Sequence, residues 1–149
     1  MTLPENVIEA SVLICEKTLR EDDGVFSIIR LVDIFFVTLQ PGTPRERLSV
    51  KMSVLFRVKV ADDTEHVLKL VLQRPSGAEA AIAEAPPAKA TSQFVDVPGG
   101  ISGVAHVGVL AKEMGTHYFK MLLDDVEVAR TPFTLRERSK PVESEEPQP

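Results

Sequence analysis

The stretch Ser49-Val50-Lys51-Met52-Ser53-Val54-Leu55-Phe56-Arg57-Val58-Lys59-Val60 decides the fold. Val50, Met52, Val54, Phe56, Val58 and Val60 fall on one side of an extended chain. Ser49, Lys51, Ser53, Arg57 and Lys59 fall on the other, with Leu55 as the exception. Strand side chains alternate between faces, so an alternation this long predicts a β-strand with one face buried. Asp62-Asp63-Thr64-Glu65 then turns the chain into His66–Gln73, where Leu68, Leu70 and Leu72 alternate with Val67, Lys69 and Val71. The two segments read as an antiparallel hairpin.

Outward from that pair, the same alternation predicts strands over Ile8–Cys15, Gln93–Val97 and Ile101–Ala111. Gly103 and Gly108 within the last suggest a bulge or a close backbone approach. His117, Phe119, Met121 and Leu123 line one face of a further strand. Asp124-Asp125 turns it into Val126–Ala129, and Pro132–Leu135 closes the fold. Ile28, Leu31, Val32, Phe35, Phe36 and Leu39 fit helical spacing as well as a strand, but β-branched and aromatic content favours a strand broken near Arg30–Asp33. Glu79–Ala90, rich in Ala and Glu with a Pro86-Pro87 pair, reads as a loop with a short helical turn at Glu79–Ala85. The predicted class is all-β: an antiparallel two-sheet immunoglobulin-like β-sandwich of about seven to nine strands.

The chain has 149 residues, 44% of them hydrophobic and 26% charged, which suits one domain with an ordinary core. That domain is expected over residues 1–136, followed by a disordered, acidic, Pro-containing tail over 137–149. No apolar run approaches the roughly 18–20 residues a membrane span needs, so no membrane association is expected. A net charge of −5 with scattered Lys and Arg predicts no nucleic-acid partner, since that affinity comes from clustered cations. The single cysteine, Cys15, cannot close an internal disulfide and reads as a small core residue. Met1-Thr2-Leu3-Pro4-Glu5 has no basic start or apolar stretch of a secretory signal, so the expected location is cytoplasmic.

Two stretches resemble a known family. Ala10-Ser11-Val12-Leu13-Ile14-Cys15, then Asp22-Asp23-Gly24-Val25-Phe26-Ser27-Ile28-Ile29 with Asp33 beyond, is similar to the opening of an uncharacterised bacterial family of single-domain immunoglobulin-like β-sandwich proteins, a domain of unknown function. The close, Gly115-Thr116-His117-Tyr118-Phe119-Lys120-Met121-Leu122-Leu123-Asp124 and Val126-Glu127-Val128-Ala129, resembles it too. The resemblance spans roughly residues 8–136 and implies the sandwich fold, with no catalytic residue to carry over. Asp125 stands where such hairpins usually carry glycine, which leaves the turn type open.

No Gly-x-Ser-x-Gly elbow and no phosphate-binding Gly-rich loop is present, and Pro98-Gly99-Gly100-Ile101-Ser102-Gly103 opens a strand without a lysine. No enzyme activity and no cofactor are expected. His66, His106 and His117 have no metal-ligand spacing and read as surface or half-buried strand residues, although His106 and His117 could approach across adjacent strands. The acidic doublets Asp22-Asp23, Asp62-Asp63 and Asp124-Asp125 all fall at predicted turns. Turns collect at the ends of a sandwich, so these carboxylates are the candidate metal residues, for calcium held by oxygen ligands; their ordinary use is as turn formers. The leading functional expectation is a non-catalytic protein-interaction or assembly module, with Leu55, Val67, Val71 and Leu122 as an apolar surface for a protein partner or homo-oligomer. The second is a small-ligand or calcium-binding sandwich using the acidic turns or a cavity between sheets.

Overall fold

The structure, a computed structural model, describes residues 2–20, 22, 26–39, 41–90 and 98–138, with backbone only at Arg20, Phe26 and Ile29. Eleven strands run through them: β1 Val7–Arg20, β2 Phe26–Leu31, β3 Ile34–Thr38, β4 Ser49–Val60, β5 Glu65–His66, β6 Leu68–Gln73, β7 Glu79–Glu84, β8 Ala88–Lys89, β9 Gly99–Leu110, β10 Gly115–Leu123 and β11 Val126–Arg138. A single 3-10 turn, Arg45–Arg47, precedes β4. No helix among the described residues is long and apolar enough to cross a membrane.

The strands form a four-stranded sheet ordered β2-β1-β4-β9, a five-stranded sheet ordered β3-β11-β10-β6-β7, and a small β5-β8 pair. The class is all-β, as the periodicity requires. Two particulars differ from expectation: there are more strands, and β3 pairs with β11 in parallel, from Thr134 opposite Ile34 to Arg138 opposite Thr38. Val12, Ile14, Met52, Val54, Val58 and Val109 from the first sheet share one core with Leu70, Leu72, Phe119, Met121, Phe133 and Leu135 from the second. Phe133 organises the second sheet's share. Phe119 and His117 stack on it at 5.1 and 5.0 Å, and Phe35 meets it edge-on at 6.1 Å.

β4 occupies the residues its alternation marked, and His117, Phe119, Met121 and Leu123 are all buried. The ambiguous segment is a broken strand. It leaves β1 after Leu31, bonds Ile14 O through Val32 N, and joins β11 through Asp33 O, so β2 and β3 lie in different sheets. Asp124 and Asp125 take φ of 49° and 66°, the paired left-handed conformation of a two-residue type I′ hairpin, without the glycine. Gly103 is a close approach: a Cβ there would lie 2.6 Å from the ring of Phe56.

Two expectations fail. The hairpin of Ser49–Val60 with His66–Gln73 does not form; β4 and β6 lie in different sheets, and residues 61–67 carry the chain across. Glu79–Ala85 is not helical. β7 takes Glu79–Glu84 as an edge strand, because β6 offers it a free row of backbone donors and acceptors that outweighs alanine's preference. The predicted strand Gln93–Val97 lies outside the described residues, as does the predicted tail beyond Arg138; Glu137 and Arg138 belong to β11.

Candidate functional site

Of the six candidate carboxylates, the structure brings two together. Asp62, in the loop after β4, and Asp124, at the β10–β11 turn, both close on His66. His66 Nε2 lies 2.6 Å from Asp62 Oδ1 and Nδ1 lies 2.6 Å from Asp124 Oδ2, with His66 only 4% exposed. Asn6 Nδ2 donates to Asp62 Oδ2 at 3.0 Å, and the Thr64 hydroxyl and amide donate to Oδ1. The Val67 amide donates to Asp124 Oδ1 at 2.9 Å. Asp63 is exposed beside the cluster, Asp125 pairs with Lys69 at 3.1 Å, Asp22 is exposed, and Asp23 lies outside the described residues.

The hydrogen bonds from Asn6, His66 and Thr64 hold the Asp62 carboxyl well below the ordinary carboxylate range. Burial pushes Asp124 up, but His66 and the Val67 amide carry it below its ordinary value. Asp124, then Asp62, lift His66 above its ordinary value against its burial. One carboxylate from each of two doublets, Asp62 and Asp124, thus meets at a histidine. No group of three or more His, Cys, Asp or Glu among the described residues is disposed to hold a metal ion.

The other histidines also differ from expectation. His66 and His117 are buried, not superficial, and His106 and His117 lie in different sheets. His117 Nδ1 faces Gly115 O at 3.1 Å, Nε2 has no partner, and burial holds the ring below its ordinary pKa. His106 instead meets Ser53, with 2.9 Å between Nδ1 and Oγ. Ser53 is 3% exposed and burial pushes the neighbouring Cys15 thiol up, so neither is presented to a substrate as a nucleophile.

The Ser53–His106 pair belongs to a surface that composition alone does not reveal. Residues directly opposite one another in a sheet share a face. Across β1, β4 and β9 the register sets out rows on the face opposite the core: Glu9, Lys59, Gly100; Ser11, Arg57, Ser102; Leu13, Leu55, Val104; Cys15, Ser53, His106; then Lys51 beside Gly108. This face carries Lys51, Arg57 and Lys59 against one carboxylate, Glu9, which lies 3.3 Å from Lys59. Lys51 and Arg57 make no ion pair among the described residues. Serine and glycine stand opposite the cations, and between Lys51 and Arg57 lie the apolar row Leu13, Leu55, Val104 and the buried Cys15 and Ser53. Three of the 17 basic residues stand together on this face, in a chain of net charge −5.

The apolar partner surface does not materialise as expected, since Val71 is buried and Leu55, Val67 and Leu122 are half-buried. A cavity among Phe56, Leu68, Leu70, Ala83 and Met121 has a volume of about 20 Å³, room for about one water, and a more open pocket of about 240 Å³ lies between β1 and β11, lined by Leu13, Ile14, Leu31, Asp33, Thr131 and Pro132.

No family model and no curated protein matches the chain. Among solved structures, it is similar to the Pseudomonas fluorescens alkylpurine DNA glycosylase AlkC bound to DNA containing an abasic site analog, at 11% identity and a TM-score of 0.44. The match covers 84% of this chain and 30% of that one. That neighbour is a DNA-bound enzyme, and two expectations are withdrawn with it: the protein-interaction or assembly module with its ligand-binding alternative, and the exclusion of nucleic acid. A likeness of this size assigns this chain neither an activity nor a ligand.

Proposed function

We propose that the chain binds the sugar-phosphate backbone of nucleic acid across the outer face of the four-stranded sheet. The observation that carries this reading is the row of Lys51, Arg57 and Lys59 facing away from the core with one carboxylate among them. Phosphate contacts from Lys and Arg dominate non-specific affinity. The rows at Ser11, Ser102, Gly100 and Gly108 keep neighbouring side chains short enough for a backbone to approach. These rows hold no Phe, Tyr or Trp, His106 being their one ring on which a base could stack, and no α-helix among the described residues is present to enter a groove. Binding is therefore sequence-independent, and duplex is preferred to single strand for its charge density. The role is binding without chemistry, in keeping with a buried Ser53 and a protonated Cys15.

The strand order supports an immunoglobulin-like reading of the fold: β1, β4 and β9 take the places of strands A, B and E, and β6, β10 and β11 those of C, F and G, with β7 as C′. Kinship with the bacterial sandwich family, and a cytoplasmic setting in keeping with a buried free thiol, belong to the same proposal.

Fluorescence anisotropy with a short labelled duplex at low salt tests it. Binding should appear with a Kd of roughly 10⁻⁴–10⁻⁶ M, and log K should fall with log salt at a slope of about −2.7 for three cations. No binding at low salt would overturn it.

A further inference from the structure

His66 sits where the chain leaves the four-stranded sheet for the five-stranded one. Asp62 follows the last residues of β4 in the first sheet, and Asp124 sits on the β10–β11 turn of the second. Each ring nitrogen of His66 lies 2.6 Å from a different carboxylate oxygen. An ionised carboxylate only accepts, so both contacts are hydrogen bonds only when both nitrogens carry protons. The neutral ring has one N–H, and its other nitrogen then presents a lone pair to a carboxylate at hydrogen-bond distance. Each carboxylate has a further donor on its other oxygen, Asn6 on Asp62 Oδ2 and the Val67 amide on Asp124 Oδ1, while the Thr64 hydroxyl donates to the same Asp62 Oδ1 that meets His66 and lies 3.4 Å from Nε2, so neither carboxylate can simply swing away.

We propose that Asp62, His66 and Asp124 form a proton-operated latch between the two sheets. The imidazolium holds loop 61–66 against the turn at 124–125. Loss of its proton removes one of the two bonds and loosens the loop between its ends, which stay tied by Ala61 N to Asn6 O and by the Val67–Asp124 pair. The charged groups around it are Asp63 and Glu65 on its own loop, Lys89 opposite Glu65 across β5–β8, and Asp125 with Lys69 at the turn. Each lysine there has an acid of its own beside it, so the local balance favours the cation.

An NMR titration of the intact chain follows the His66 ring protons and the Thr64 and Val67 amides together. The latch predicts a His66 midpoint above the ordinary value of 6.5, with both amides shifting at that midpoint. Asp124→Asn and Asp62→Asn should each lower it, while the wild-type titration stands without them should either fail to fold. A His66 midpoint at or below the ordinary value, or amides that ignore His66, would overturn the latch.

Discussion

The outer surfaces of the two main sheets treat their cations differently. On the five-stranded sheet, Lys69 pairs with Asp125, Lys120 with Glu79 at 2.5 Å and Arg130 with Glu127 at 2.7 Å. On the four-stranded sheet, Arg30 pairs with Glu16 and Lys59 with Glu9, both at 3.3 Å, while Lys51 and Arg57 have no such partner among the described residues. The sheets are built from similar alternating strands, yet Lys69, Lys120 and Arg130 are each paired while Lys51 and Arg57 are not; on the five-stranded sheet Arg136, near the end of β11, has no ion pair among the described residues. On the five-stranded sheet the partner carboxylates come from the β10–β11 turn (Asp125), the edge strand β7 (Glu79) and Arg130's own strand (Glu127), whereas on the four-stranded sheet the residues opposite Lys51 and Arg57 are glycine and serine.

The largest expected effect comes from removing that difference. Lys51→Ala, Arg57→Ala and Lys59→Ala together should weaken duplex binding about tenfold or more at low salt and flatten its salt dependence. The matching triple, Lys69→Ala, Lys120→Ala and Arg130→Ala, should leave both unchanged; anisotropy on the two proteins side by side reads the contrast directly. Equal losses in both would erase the distinction between the faces.

A second variant tests whether register makes the surface. Gly103→Ala places a methyl group against the Phe56 ring and should cost about 1–3 kcal/mol in denaturant unfolding, with Phe56→Leu in the same chain recovering part of it. An unchanged midpoint would mean that β4 and β9 are not held together as tightly as the contact implies.

The two buried histidines extend the comparison to pH. His66 is raised in the folded state, so its contribution is present below the unfolded pKa and is lost as pH rises through its folded value. His117 is lowered by burial, so the unfolded chain takes up its proton first and stability falls as pH drops below 6.5. Melting temperature against pH should therefore decline on both sides of an optimum. Above about pH 4, His117→Phe should relieve the acid side alone and Asp124→Asn should diminish the alkaline side alone; below it, Asp124→Asn also removes the stability its own lowered carboxyl contributes. Loss of both limbs in either variant would contradict the assignment. The smallest effect is expected from Glu9→Gln, which frees Lys59 and should tighten duplex binding about twofold.

What could be read from the sequence follows from what is local. The limits of β4 were legible because one long alternation, broken only at Leu55, sets them, and the broken strand near Arg30–Asp33 was legible from its β-branched and aromatic content, although the segment also fits helical spacing. The Asp124–Asp125 turn was legible from residue type, though its left-handed geometry was not. The separation of β4 from β6 was hidden, because a turn-rich connection looks alike whether it reverses within a sheet or crosses to another. The cationic face was hidden for a related reason. Lys51, Arg57 and Lys59 were visible on one side of a strand, but what flanks them depends on residues 46 positions away in Ser11 and 45 in Ser102, counted from Arg57. That Asp62 and Asp124 share an end was foreseeable; that His66 stands between them was not, because its burial arises from strands far along the chain.

The most direct test of the account is the salt dependence of duplex binding by the wild-type chain and its Lys51, Arg57 and Lys59 triple variant. A slope of about −2.7 that collapses toward zero in the variant is the predicted result. A wild-type chain that does not bind at low salt, or a slope the variant leaves intact, would contradict it.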